Sequence, residues 1–218
     1  MNKPFAIFDM DGTLVDSMVY WQRLGREYLA SRGVTEGVDE VLERIKAMTM
    51  AESSALFIET FGLPGTPETV EAEMNAVMDE HYRSDIPLKP GAAHYLAALK
   101  ARGTKMCVAT ATPEPLARAC LKRLGVLEDF AFLLSCDEVA AGKDRPDVFF
   151  EAARRLGSVP AETAAFEDAL FAARTAKDAG FYTVGVYDAS GDGHWNELTA
   201  LSDETVRDWG AAAEMIKT

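Results

Sequence analysis

A chain of 218 residues with 48% hydrophobic content is long enough for one sizeable domain, or for a core domain with a modest insertion, and should be soluble and folded. A formal charge of −13 and a sequence pI near 4.7 argue against nucleic acid polymers or anionic membrane as general partners, because the average field repels them. A small anionic substrate would need local help from a metal ion and a lysine.

The first element is the run Phe5 to Phe8, short and apolar without polar alternation, as in a strand buried on both faces of a parallel sheet. Asp9 falls where that strand leaves the sheet, at the edge where open α/β sheets bind ligands. Asp11 and Gly12 follow. Gly12 permits a tight turn and close approach of backbone amides to an anion, and the two carboxylates can point into one crevice. One can serve as nucleophile and magnesium ligand while its neighbour, kept partly protonated, acts as general acid and base, a division of labour suited to phosphoryl transfer. The bland alternatives are an acidic turn or a calcium loop; the spaced ligands and closing Glu of an EF-hand are missing.

After Ser17 the periodicity becomes helical. Met18, Trp21, Leu24, Tyr28 and Leu29 form one amphipathic face, Val38, Val41, Leu42 and Ile45 a second. Ala51 to Phe61 reads as a third helix and Val70 to Tyr82 as a fourth, with glycines and prolines between them. Residues 17–85 thus predict a small helical bundle inserted after the first strand. Ser84 to Pro90, with two prolines, suits a return linker that pairs with Asp16-Ser17 as a two-strand hinge.

The remainder alternates: helix 91–102, strand 104–110, helix 114–124, strand 131–135, helix 146–156, strand 163–167, helix 169–179, strand 181–187, then helix, strand and helix. Such alternation predicts an α/β fold, a doubly wound parallel sheet with helices on both faces. The second strand ends in Thr110, and Thr112-Pro113-Glu114 reads as an N-cap, a proline suited to the first turn and an acid near the positive helix end. The strand Thr163 to Phe166 delivers a second acid pair, Glu167 and Asp168, to the same sheet edge. Asp168 taken alone is equally an N-cap. Lys143 taken alone is a solvated loop charge, and Arg145 belongs to the surface. His81, His94 and His194 show no metal-ligand spacing. Cys107, Cys120 and Cys136 cannot all pair and have no zinc spacing, which predicts reduced, mostly buried thiols. The apolar run before Asp9 is neither a signal peptide nor a membrane span, so the expectation is a cytoplasmic protein, with a monomer as default.

Asp9-Met10-Asp11-Gly12-Thr13-Leu14-Val15-Asp16-Ser17 closely resembles the first motif of the haloacid dehalogenase superfamily, in its phosphatase and phosphomutase branch, and the likeness extends over nearly the whole chain. The resemblance implies a Rossmann-like catalytic core, residues 1–16 and 86–218, and a helical cap of the first type, residues 17–85, that closes over the site. It makes Asp9 the nucleophile that forms an aspartyl-phosphate, and Asp11 the group that protonates the leaving group and then activates water. The dehalogenases proper lack the second Asp, so Asp11 argues against carbon–halogen cleavage. Thr110 becomes a donor to a phosphoryl oxygen, with helix-start amides assisting. Gly142-Lys143-Asp144-Arg145-Pro146-Asp147 matches the lysine motif, in which Lys143 pairs with both nucleophile and phosphoryl group. Mg2+ would be held by Asp9, Glu167, Asp168 and the backbone carbonyl of Asp11. Asp144, where many relatives have proline, and Ala169 and Ala172, where many have serine and glycine, depart from the pattern.

The implied reaction is hydrolysis of a small phosphomonoester, a phosphorylated metabolite. A sugar-phosphate mutase related to β-phosphoglucomutase is the alternative; that enzyme carries a histidine where Trp21 stands and a cap arginine where Met50 stands. A phosphonatase would use a cap lysine, such as Lys46, to form an imine, and a non-catalytic phosphate-ligand binding protein is the remaining class. Trp21, Lys46, Thr49 and Met50 are the candidate substrate contacts, Trp21 reading first as cap core.

Overall fold

Buried on both faces, the apolar runs of the chain pair in parallel in the computed structural model, which describes residues 1–45, 48 and 50–216. In chain order the elements are β1 (Phe5–Phe8), α1 (Met18–Ser31), α2 (Val38–Ile45), α3 (Met50–Phe61), α4 (Pro67–Ser84), α5 (Ala92–Ala101), β2 (Lys105–Thr110), α6 (Glu114–Arg123), β3 (Leu133–Ser135), α7 (Cys136–Val139), α8 (Asp147–Leu156), β4 (Thr163–Glu167), α9 (Leu170–Asp178), β5 (Tyr182–Val186), α10 (Trp195–Leu201), β6 (Glu204–Val206) and α11 (Trp209–Ile216). They divide into two compact units, Met1–Met18 with Ile86–Thr218, and Val19–Asp85. The candidate contacts Lys46 and Thr49 lie outside the described residues.

The first unit is built on a six-stranded parallel sheet in the order β3-β2-β1-β4-β5-β6. Successive residues of a strand face opposite sides, and here both sides are covered. Ile7, Cys107, Ala109 and Ala165 pack with Val148, Phe149, Ala172 and Ala176 on one side. On the other, Phe8 and Phe166 stack at 4.2 Å beneath Tyr95 and Trp209. That two-sided burial is why β1 and β4 read as unbroken apolar runs. The chain moves outward from β1 through β2 to β3, then returns to place β4 on the other side of β1. The sheet therefore has its switch point between β1 and β4, and acids leave both strands there.

Beyond β1 the backbone folds on itself: Leu14 and Val15 donate to the Met10 carbonyl and Gly12 donates to Val15. Asp16 then donates to Pro87, and Lys89 to Leu14, so the outgoing and returning segments run side by side. One element escaped the sequence reading. Only Leu133–Ser135 of the strand expected over 131–135 is extended, because Ser135 and Glu138 form a capping box that starts the four-residue helix α7 at once.

The second unit holds most of α1, with α2, α3 and α4. Leu24, Tyr28, Leu29, Phe57, Met74 and Met78 are among its buried side chains. Helix α4 begins with Thr66 and Thr69 capping one another and Pro67 in the first turn. Among the described residues no helix is long and apolar enough to cross a membrane.

Candidate active site

Pairing of β1 with β4 continues one residue past the strand, through Asp9 N–H to the Phe166 carbonyl at 3.0 Å, and this sets Asp9 beside Glu167. Asp9 is only 7% exposed. Its Oδ1 accepts from Lys143 Nζ at 2.5 Å, and the same ammonium donates to Glu167 Oε1 at 2.8 Å. Lys143 comes from the loop between α7 and α8 and is equally buried. Burial alone would lower its pKa, but the Asp9 and Glu167 charges overcome that and hold it above the ordinary lysine value.

Two carboxylates bond this one cation, and a third stands beside them. One oxygen from each of Asp9, Glu167 and Asp168 lies within 4.8 Å of the others. Burial, then the nearby Asp9 charge against the relief from Lys143, pushes Glu167 well above the carboxylate range. Burial, and then the charges of Asp9 and Asp188, push Asp168 up to about 7. Asp9 Oδ2 is buried and has no hydrogen-bond partner. An orphaned carboxylate oxygen beside two further acids is costly unless a ligand completes it, and an all-oxygen donor set of this kind suits a hard cation.

The turn after β1 closes the site from one side. Gly12 has φ of 77°, and a Cβ there would stand 2.2 Å from Asp168 Oδ2. Thr13 Oγ1 donates to Asp168 Oδ1 at 3.2 Å. The Asp11 carboxylate is bound at both oxygens: Ser17 Oγ donates to Oδ1 and Thr112 Oγ1 to Oδ2, each at 2.6 Å. Thr110 is 1% exposed, and its hydroxyl accepts the Thr112 N–H at 3.0 Å.

One local reading needs correction. Thr112 does not cap α6; the cap position is Pro113, with no side-chain bond, and the Thr112 hydroxyl goes instead to Asp11, a charged and therefore stronger acceptor. Asp168 does not cap α9 either. That position is Ala169, without a side-chain bond, while Asp168 accepts from Thr13.

The structure thus gathers Asp9, Lys143, Glu167 and Asp168, with Asp11 and Thr110 tied to them through the β1 turn and the Thr112 backbone. Asp144 and Arg145 are exposed, Arg145 pairing with Asp147. Trp21 and Met50 belong to the second unit, each half-buried, and Trp21 Nε1 donates to the buried Tyr82 hydroxyl at 3.2 Å. His81 lies between Glu27 and Asp85, and His94 and His194 are exposed. The hydroxyls of Thr13, Ser17 and Thr112 were not singled out for these contacts. Two of them stand in the first motif, yet which carboxylate each meets depends on how the turn folds.

The haloacid dehalogenase-like hydrolase family matches residues 5–180. The β-phosphoglucomutase of Bacillus subtilis is 31% identical over 197 residues, 83% of this chain and 82% of that protein. The phosphorylated carbohydrates phosphatase of Thermotoga maritima is 27% identical over 189 residues, 86% of this chain and 87% of that protein. A Thermotoga maritima crystal structure, described as a candidate β-phosphoglucomutase, aligns with a TM-score of 0.83 at 26% identity and covers 98% of both chains.

Proposed function

This chain belongs to the haloacid dehalogenase-like hydrolases, and from that membership we propose that it is a magnesium-dependent phosphatase acting on a small phosphorylated metabolite through an aspartyl-phosphate. The observation that carries this reading is the buried Asp9 carboxylate, with one oxygen on Lys143 and the other unpartnered beside Glu167 and Asp168.

The residues divide the work as follows. An Asp9 oxygen attacks phosphorus, the ester P–O bond breaks, and Asp11 gives its proton to the departing alkoxide. Water then attacks the phosphoryl group, Asp11 takes the water's proton, and the acyl-phosphate P–O bond breaks to restore Asp9. To reach the ester oxygen, Asp11 exchanges one of its two hydroxyl bonds, to Ser17 or Thr112. Lys143 orients Asp9 and offers its charge to the phosphoryl oxygens, and Thr110 supplies a hydroxyl donor. Asp9, Glu167 and Asp168, with the Asp11 carbonyl, are the residues that would hold Mg2+. When bound, the ion supplies positive charge against the phosphoryl oxygens and offsets the mutual repulsion of the acids. In this reading the helical unit, Val19–Asp85, takes the part of the family's cap, whose role is to limit the access of bulk water to the intermediate. The three free, buried thiols suit a reducing, cytoplasmic compartment.

Identity to the Bacillus subtilis enzyme favours a second reading, a sugar-phosphate mutase. Against it, the positions where that enzyme type carries histidine and arginine hold Trp21 and Met50, which neither titrate nor grip a phosphate. Phosphate release from sugar phosphates, phosphoglycolate, nucleotides and an aryl phosphate, with Mg2+ or chelator, tests the choice. Magnesium-dependent release that vanishes in Asp9→Asn supports the phosphatase. Interconversion of sugar monophosphates without phosphate release would establish the mutase instead.

A further inference from the structure

We propose that Trp209, the first residue of α11, is a positioning residue for the metal site: its indole N–H holds the turn carrying Thr13, and Thr13 holds Asp168. The proposal rests on the reading of Asp168 as a magnesium ligand. Trp209 is 3% exposed, and Nε1 donates to the Thr13 carbonyl at 3.1 Å, joining residues 196 positions apart. Elsewhere in the same turn the carbonyls of Met10, Leu14 and Val15 accept backbone N–H groups. Thr13 takes its donor from a side chain of the last helix. Its hydroxyl points to Asp168 Oδ1 at 3.2 Å, so one residue is gripped on its backbone by Trp209 and passes that constraint to the acid.

The ring reinforces the link. Its centroid lies 6.3 Å from Phe8 and 5.9 Å from Phe166, the residues immediately before Asp9 and Glu167. A single side chain therefore packs on the ends of both acid-bearing strands and fixes the turn beside the third acid. Helix α11 is itself firmly placed. Asp208 Oδ1 accepts the Ala211 N–H at 2.7 Å, and a Cβ on Gly91 would come within 2.3 Å of the Gly210 nitrogen, so α11 starts in direct backbone contact with the start of α5. Trp209 lies beyond residues 5–180, the segment the family matches.

A buried tryptophan needs a partner for its N–H in any core, so the experiment must separate positioning from packing. Magnesium dissociation constants are measured by calorimetry on the full chain for wild type, Trp209→Phe, Thr13→Val, the double variant and Asp168→Asn. Loss of a group that orients a metal ligand weakens binding about 10- to 100-fold, so Thr13→Val should fall in that range and Trp209→Phe, one step further out, at about three- to tenfold. If Trp209 acts through Thr13, Trp209→Phe has no further effect once Thr13 is valine. A lower melting temperature in Trp209→Phe with unchanged magnesium affinity overturns the proposal, as do independent, multiplying effects in the double variant. Wild-type affinity in Asp168→Asn would overturn it differently, by removing the ligand on which it rests. Should phenylalanine compromise folding, benzothienylalanine at position 209 keeps the bicyclic ring and deletes only the N–H.

Discussion

The sheet edge of the first unit and the helices of the second both contain networks of charged and hydroxyl side chains, yet they differ in what they leave unsatisfied. In the second unit Tyr28 donates to Glu73 at 2.7 Å, Arg32 pairs with the same carboxylate, and Trp21 donates to Tyr82. Each contact ties α1, or the residue that follows it, to α4. Asp79 Oδ1 is a buried atom without a partner, but its carboxylate already accepts from the exposed Arg83 one turn along. At the sheet edge, three carboxylates converge beside one ammonium that bonds two of them, and one Asp9 oxygen is left buried and without a partner. Among the described residues no other group of acids, histidines or cysteines converges in this way. Unsatisfied polarity marks a site where it coincides with convergence; alone, as at Asp79, it is an incident of packing.

The largest effects should therefore come from the convergent acids. Asp9→Asn keeps the shape of the side chain and removes the carboxylate proposed as nucleophile, so phosphate release should fall about 10⁴-fold or more, with the far-UV circular dichroism of wild type. Loss of turnover accompanied by loss of fold would instead make Asp9 a structural residue. Next comes Gly12→Ala. The left-handed φ and the 2.2 Å approach to Asp168 mean that a methyl group strains the turn and displaces the acid together. We expect destabilisation of about 1–3 kcal/mol in urea and a fall in kcat on the order of 10²-fold.

Titration of the metal-free protein offers a third, intermediate test. Burial and neighbouring charge hold Asp168 and Glu167 above their ordinary values, so the folded chain keeps protons that the unfolded chain has released. For such groups the contribution to stability is fully present below the unfolded pKa and is lost as pH rises through the folded one. In chelator, the melting temperature should thus decline between about pH 4 and the Asp168 value of about 7, and Mg2+ should remove that decline by favouring the charged acids. Asp188 runs the other way. Despite its burial, Lys89 and Ser190 hold it below the carboxylate range, so its share of stability is lost only as pH falls. A melting temperature in chelator that stayed level or rose across that interval would show that the three acids are not in forced proximity.

The same contrast explains what could be read before the fold was known. Asp9, Glu167 and Asp168 were legible because the two-sided burial of β1 and β4 leaves apolar runs that end in acids, whereas Lys143, a solvated charge when taken alone, was legible only through the family motif around it. The helices around α1 to α4 were legible from periodicity alone. The partner of each hydroxyl was not: Thr112 has the local sequence of a cap, and only the turn after β1 brings Asp11 within its reach. Helix α7 was readable in principle, since Ser135 and Glu138 have capping-box spacing, but a four-residue helix carries no periodicity to draw attention to it. The Trp209 contact joins the two ends of the chain, and no local pattern encodes it.

The smallest effect tests the helical side of the comparison. Tyr28 is 2% exposed, and its pKa is raised by burial and then by its bond to Glu73. Glu73 is held below its usual value, first by the Tyr28 hydroxyl and then by Arg32. Tyr28→Phe removes the hydroxyl that bonds Glu73 and meets Arg32, but leaves these two paired with each other and with access to water, so no buried group is stranded. Destabilisation of about 0.5–1.5 kcal/mol follows, measured by urea denaturation, with kcat for the preferred ester within about twofold of wild type. If kcat fell as far as in Gly12→Ala, the polar pairs of the helical unit would belong to the chemistry, and the division between a convergent site and locally satisfied helices would fail.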